Sequence, residues 1–331
     1  MRVLVVMNFG PDPDTPQRGR WVVDQVEALK AEGVDAELFT FQPGKDQYLP
    51  AIRKLRSILK EESFDLVHAH YGLAGWCALA AGAKPLIVTF HGTDVRHPLV
   101  GPSSRLLARR IALGAGASAA LFTEEAGRAG LPLIPGKNAV LPCGADTSRF
   151  QPHSRTEARL ALGLDPGKRY LFFPADPSRP EKRVDRAREV ASASGTELLT
   201  GGGIEPEKMS VWMNAADAVI VSSEYEGFGL AFLESLACEV PVITTPVGIA
   251  PSLLRSLPHS LCAPYDAAVW AAFVSRLLED PDPRTPGRSR SKALSAERMA
   301  ARVLIAYREV LATDEVAHVS SARFGNDGEI R

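Results

Sequence analysis

Short, largely apolar runs alternate with helical segments along this chain, and that alternation restricts the fold more than any other feature. Runs at residues 3–7, 36–41, 66–69 and 86–90 are spaced by segments near 21–32 and 49–62 whose apolar positions recur with helical spacing. Apolar runs of this length read as strands covered on both faces, and strands that alternate with helices pair in parallel. The second half repeats the pattern with runs at 170–174, 197–200, 218–221 and 242–244. The expected class is α/β, with two Rossmann-like doubly wound domains facing across a cleft at their strand carboxyl ends. A chain of 331 residues can bury two such cores.

Charge and cysteine content exclude several functions. Lys and Arg number 38 against 39 Asp and Glu, so no basic excess supports nucleic-acid binding. Cys77, Cys143, Cys238 and Cys262 are far apart, form no C-x-x-C pair and read as buried thiols. Residues 1–7 are too short for a signal h-region, and no stretch reaches transmembrane length, so a cytoplasmic location is expected.

The segment richest in chemistry is Ser223-Glu224-Tyr225-Glu226-Gly227-Phe228-Gly229-Leu230-Ala231-Phe232-Leu233-Glu234. It follows the run at 218–221, and apolar positions 230, 233, 236 and 237 then recur with helical spacing, so it reads as strand, turn and helix start. The backbone N–H groups of Phe228, Gly229 and Leu230 open that helix and suit an anionic oxygen of a diphosphate. Gly227 and Gly229 allow close approach of a ligand. Glu234, deeper in the helix on the edge of its apolar face, can accept two hydrogen bonds from a vicinal diol such as ribose. Glu226, in the turn, can hold a sugar hydroxyl or stabilise developing positive charge. A sugar nucleotide fits this set.

The arrangement resembles the E-x7-E motif of retaining glycosyltransferases of the GT-B fold, family 4 type. The resemblance continues through Pro241-Val242-Ile243-Thr244-Thr245-Pro246-Val247-Gly248. It implies transfer of a sugar from a nucleotide diphosphate sugar to a hydroxyl acceptor, with retention, no cofactor and no catalytic metal. His91-Gly92-Thr93-Asp94 matches the family's H-G-x-D, whose histidine reaches the donor sugar, so the resemblance places His91 in catalysis and Asp94 in substrate binding. The residues alone also fit a strand-end histidine that caps a turn. Asp176-Pro177-Ser178-Arg179-Pro180-Glu181-Lys182-Arg183 looks like the basic loop that holds the donor diphosphate, which implicates Lys182 and Arg179. Arg179 departs from the pattern, in which the arginine follows the strand directly. Gly19-Arg20-Trp21-Val22-Val23-Asp24-Gln25-Val26 is similar to the G-x-F-V-x-x-Q opening of family members that build surface polysaccharides. There Gly19 would let backbone amides approach the donor phosphate or acceptor, and the spacing is not that of a dinucleotide fingerprint.

Other features bear on organisation. Val140-Leu141-Pro142-Cys143-Gly144-Ala145-Asp146-Thr147-Ser148-Arg149-Phe150-Gln151-Pro152 is similar to the segment that closes the first domain in the family. The expected division is an acceptor-side domain at 1–160, a donor domain at 161–294, a helix at 295–311 that crosses back, and a flexible tail at 312–331. Thr200-Gly201-Gly202-Gly203 leads almost directly to residues 211–217, where relatives insert a further strand and helix that commonly help hold the base, so the second domain reads as shortened. His68 and His70 share one strand face and either line the acceptor side or sit satisfied in the core. Arg53, Lys54, Arg56 and Lys60, with Arg105, Arg109 and Arg110, form either a solvated face or a peripheral contact with anionic membrane. A sugar-nucleotide epimerase and a non-catalytic sugar-nucleotide sensor are the alternative functions.

Overall fold

The computed structural model describes residues 1–11, 15–122 and 129–324, with side chains through Asp314. The chain forms two compact units: Met1–Gly10, Gln25–Leu141 and Met299–Arg331 make the first, and Pro11–Asp24 with Pro142–Arg298 make the second.

The first unit is built on six parallel strands: β1 (Arg2–Met7), β2 (Asp35–Thr40), β3 (Leu66–His70), β4 (Leu86–Phe90), β5 (Leu113–Gly116) and β6 (Asn138–Val140). Their spatial order is β2-β1-β3-β4-β5-β6. Every residue of β3 and β4 is buried, as expected of strands with helices on both faces. Register pairs Met7 with His70 and His70 with Thr89, so the carboxyl ends of β1, β3 and β4 lie level. The order reverses between β1 and β3, which opens a crevice at that end of the sheet.

The second unit has five parallel strands: β7 (Tyr170–Phe173), β8 (Glu197–Thr200), β9 (Ala218–Val221), β10 (Val242–Thr244) and β11 (Leu261–Cys262). Their order is β11-β10-β9-β7-β8, with the reversal between β7 and β9. Leu171, Phe173 and Ile220 pack with Val190 and the fully buried Trp270 on one face of this sheet. Alternation along each strand carries their neighbours Phe172 and Val219, also buried, to the other face. Asp217, which enters β9, is inaccessible to solvent; it is paired with Arg159 at 2.7 Å and Arg169 at 3.0 Å and accepts the Tyr170 N–H at 2.7 Å. That cluster ties the start of β7 to the start of β9.

The apolar runs read from sequence coincide with β1 to β4 and β7 to β10, whereas β5 and β6 carry no legible signal. Leu113-Gly114-Ala115-Gly116 has no β-branched residue, and it is a strand because it is buried and paired on both sides. Glycine is required at its end: a Cβ on Gly116 would sit 2.7 Å from the Phe122 ring. The helix expected from residue 49 begins a turn earlier, as Lys45–Glu61, with Pro50 inside it. The last helix runs Ala296–Phe324, beyond the end read at residue 311, and residues 325–331 of the expected tail lie outside the described residues. Of the four free thiols, Cys77 and Cys238 are buried and Cys143 and Cys262 only partly so. Among the described residues no helix is long and apolar enough to cross a membrane.

Candidate active site

In the second unit the loops leaving β7 and β9 diverge at the point where strand order reverses, and they bring together two of the residues that the sequence singled out, Lys182 and Glu226. After β9, Ser222 and Ser223 are buried, and the Ser223 hydroxyl donates to Glu226 Oε1 at 2.7 Å. The Thr245 hydroxyl donates to the Ser223 carbonyl at 2.6 Å, and the Ile249 N–H donates to the Phe228 carbonyl at 3.0 Å. The turn that carries Glu226 is thus braced by the Thr245–Ile249 stretch. Gly248, at φ +55°, makes this possible, because a Cβ there would lie 2.2 Å from the Phe228 oxygen and 3.1 Å from Glu226 Cβ. The Pro-Val-Ile-Thr-Thr-Pro-Val-Gly continuation therefore acts as the buttress of the acidic turn.

Lys182 reaches the same turn from the other side. It ends the short 3-10 turn Pro180–Lys182, which is pinned to β9 by the Ser222 hydroxyl on the Arg183 carbonyl at 2.8 Å and by the Glu224 N–H on the Glu181 carbonyl at 2.9 Å. Its Nζ lies 2.7 Å from Glu226 Oε1 and 2.8 Å from Oε2, and the two side chains are only 12 % and 15 % exposed. So little water makes this pair stronger than a surface ion pair. Arg179 does not join it: its guanidinium pairs with Glu181 at 2.6 Å and is half exposed.

The helix Leu230–Ala237 begins at Gly229, whose φ of +96° no L side chain adopts easily; a Cβ would fall 2.2 Å from the Phe232 ring. Phe228 is buried and anchors the turn, while Gly227, Gly229 and Leu230 are partly exposed. Helix geometry gives the first amides no intrahelical acceptor, so they present donors beside the Lys182–Glu226 pair. Glu234, in the same helix, is pushed up to about 7 by burial, with the Arg149 charge opposing and Asp24 adding to the rise. Arg149 is itself held by Asp24 at 2.9 Å.

Asp24 belongs to the second unit because the Pro11–Asp24 stretch clusters there. The Gln17 side-chain amide donates to the Ile204 carbonyl at 2.8 Å, and Arg20 pairs with Asp24 at 2.7 Å. Gly19, at φ +69°, accepts the Val22 N–H at 2.9 Å and so starts the helix Arg20–Ala31. The grouping of Asp24, Arg149 and Glu234 had no sequence signal, since the three residues are far apart in the chain and share no motif.

His91 and Asp94 lie in the first unit, at the end of β4. Asp94 is 4 % exposed, and its carboxylate accepts the N–H groups of His91, Gly92 and Gly72, each at 3.0 Å. Both oxygens are thereby used to shape the His91 loop. Burial nonetheless pushes Asp94 up to about 6 against those three donors. His91 stacks on Tyr71 with ring centroids 4.9 Å apart, and its Nε2 lies 3.0 Å from His70 Nδ1. His68 is inaccessible to solvent and hydrogen-bonded to Tyr307 and Thr89, both at 2.7 Å, which makes it a satisfied core histidine. The basic face expected from residues 53–60 is exposed, though Arg56 also donates to the Ala80 carbonyl at 2.7 Å.

Residues 181–293 match the family model described as "Glycosyl transferases group 1", and residues 9–149 match "Glycosyltransferase Family 4". Among curated relatives, D-inositol 3-phosphate glycosyltransferase 2 of Catenulispora acidiphila is 25 % identical over 307 residues, which covers 77 % of this chain and 70 % of that protein. D-inositol 3-phosphate glycosyltransferase of Segniliparus rotundus is 27 % identical, over 91 % of this chain and 77 % of that protein. Sucrose-phosphate synthase from Thermosynechococcus elongatus shares the fold with a TM-score of 0.72 at 20 % identity, over 95 % of this chain and all of that one. Anabaena HepE in complex with UDP and glucose superposes with a TM-score of 0.68 at 16 % identity, over 92 % and 98 % of the two chains.

Proposed function

The chain belongs to the glycosyltransferases of group 1 and family 4, with the GT-B fold, and from that premise we propose that it transfers a sugar from a nucleotide diphosphate sugar to a hydroxyl acceptor with retention of anomeric configuration. The observation that carries the donor assignment is the shielded Lys182–Glu226 pair beside the helix-opening amides of residues 228–230. In this reading the ammonium of Lys182 and those amides take the diphosphate, offsetting the charge that develops as the glycosidic bond to it lengthens. Glu226, fixed by Ser223 and Lys182, holds a sugar hydroxyl and faces the positive charge developing on the ring, and His91 hydrogen-bonds the sugar. Glu234 binds the ribose diol, and Gly19 and Arg179 contact the donor phosphates or the acceptor.

No side chain is assigned as a nucleophile. Retention rests on the family resemblance. HepE, a structural neighbour, is described with UDP and glucose, which makes UDP-sugars the first donors to assay. The acceptor named in the curated relatives, D-inositol 3-phosphate, is the first acceptor to assay.

The test is a thermal-shift screen of nucleotide diphosphate sugars, followed by product analysis with the best ligand and the first acceptors. A stabilising donor raises Tm in proportion to the logarithm of its concentration over Kd. Glu226→Ala should keep the fold and lose both transfer and donor hydrolysis. Undiminished turnover in that variant would remove Glu226 from the reaction, and an isomerised sugar formed without acceptor would point to epimerisation instead.

A further inference from the structure

Three histidines of the first unit stack in a row, and two of them, His70 and His91, are hydrogen-bonded so that the proton position of one dictates that of the other. His68 and His70 leave the same face of β3 and stack with centroids 4.5 Å apart, and His91 stacks on His70 at 5.2 Å. His70 Nδ1 lies 3.0 Å from His91 Nε2, while the Gln25 side-chain nitrogen lies 3.4 Å from His70 Nε2 and 3.5 Å from His68 Nδ1. Burial holds the rings neutral around pH 7: His68 and His91 are both pushed down to about 3, and His70 lies well below its ordinary value. A neutral imidazole has one N–H and one lone pair, so a hydrogen bond between two such rings fixes both tautomers.

The order of protons follows from the Gln25 amide nitrogen, which can only donate. It donates to His70 Nε2, so the His70 proton is on Nδ1. His70 Nδ1–H then donates to His91 Nε2, and the His91 proton is left on Nδ1. At the far end His68 is held between the Tyr307 hydroxyl at Nδ1 and the Thr89 hydroxyl at Nε2. We propose that Gln25 and His70 are positioning residues that fix His91 as the Nδ1–H tautomer, so that His91 meets the donor sugar as a hydrogen-bond donor and not as a proton acceptor. The proposal rests on the reading of His91 as a ligand of that sugar.

The experiment is a long-range 1H–15N correlation spectrum of the full chain labelled in its imidazole nitrogens, with His91 assigned by comparison with His91→Ala. The wild-type spectrum should show His91 protonated at Nδ1 and bare at Nε2. In Gln25→Glu a carboxylate can only accept from His70 Nε2–H, which reverses the order of protons and moves the His91 proton to Nε2. UDP-glucose hydrolysis should then fall about 10- to 100-fold, mainly in kcat, as a hydrogen bond to the reacting sugar is lost. Wild-type His91 protonated at Nε2, or an unchanged tautomer in folded Gln25→Glu, overturns the proposal. Should Gln25→Glu fail to fold, the wild-type spectrum decides alone. Unchanged hydrolysis in His91→Ala overturns the sugar contact and the reading beneath it, while the spectrum still decides the tautomer.

Discussion

Lys182 Nζ bridges both carboxylate oxygens of Glu226, at 2.7 and 2.8 Å, so each of these side chains holds the other where a donor would meet them. Glu226→Gln keeps the shape and the Ser223 contact but removes the charge. We expect donor turnover to fall by about two to three orders of magnitude. Lys182→Met should lower turnover similarly and weaken nucleotide binding as well, because the ammonium is the group assigned to the diphosphate. Steady-state kinetics with kcat and KM resolved separate the two, and a Lys182→Met enzyme with unaltered affinity for UDP would contradict that assignment.

Glu234 makes stability depend on pH. Its folded-state value of about 7 lies above the ordinary 4.5, so its contribution to stability is full below about pH 4.5 and is lost as pH rises through about 7. Glu234→Gln should flatten the pH profile of Tm across that window. The ionised form is also the one that accepts ribose hydroxyls, so wild-type affinity for UDP should strengthen as pH rises toward 7, by at most about tenfold per pH unit. Calorimetric titration from about pH 5.5 to 8 checks this, and a flat wild-type profile would take Glu234 out of ribose binding.

Gly248→Ala should harm the site more than the fold. The new Cβ meets the Phe228 oxygen at 2.2 Å and pushes toward Glu226. Backbone strain at φ +55° adds to a stability loss of about 1–3 kcal/mol. Gly33→Ala is the control: its φ is +81°, but nothing lies within 4 Å of the added methyl. Chemical denaturation should show a strain loss in Gly33→Ala and a larger loss in Gly248→Ala, where the clash adds to it, with loss of donor turnover confined to Gly248→Ala.

Asp94→Asn removes one of two acceptor oxygens that serve three backbone N–H groups. At least one buried donor is left unsatisfied, at a cost of about 1–3 kcal/mol. Because Asp94 is itself raised to about 6, its contribution to stability is full below about pH 3.8 and is lost as pH rises through about 6, and the variant should lack that dependence. Urea unfolding at about pH 4.5 and pH 7.5 measures both effects.

The strands, the two-sheet α/β class and the acidic turn were legible because each is local: apolar runs, helical spacing and glycines near Glu226 are properties of neighbouring residues. Local chemistry also pointed to Lys182. The sequence could not say that Arg179 turns to Glu181, since only the folded loop selects its partner. It could not say that Asp94 spends both oxygens on backbone amides, or that Leu113–Gly116 is a strand, because burial supplies what propensity lacks.

By itself, then, the sequence determined the fold class, most of the strands and which residues are candidates for the chemistry, through patterns that span a turn or two. The tertiary structure decided how those residues are tuned. Asp24, Arg149 and Glu234 meet, and Gln25, His70 and His91 align, only when segments remote in the chain are packed together. Desolvation then sets the protonation of Glu234, and a fixed hydrogen bond links the tautomers of His70 and His91, in a way that no local pattern encodes.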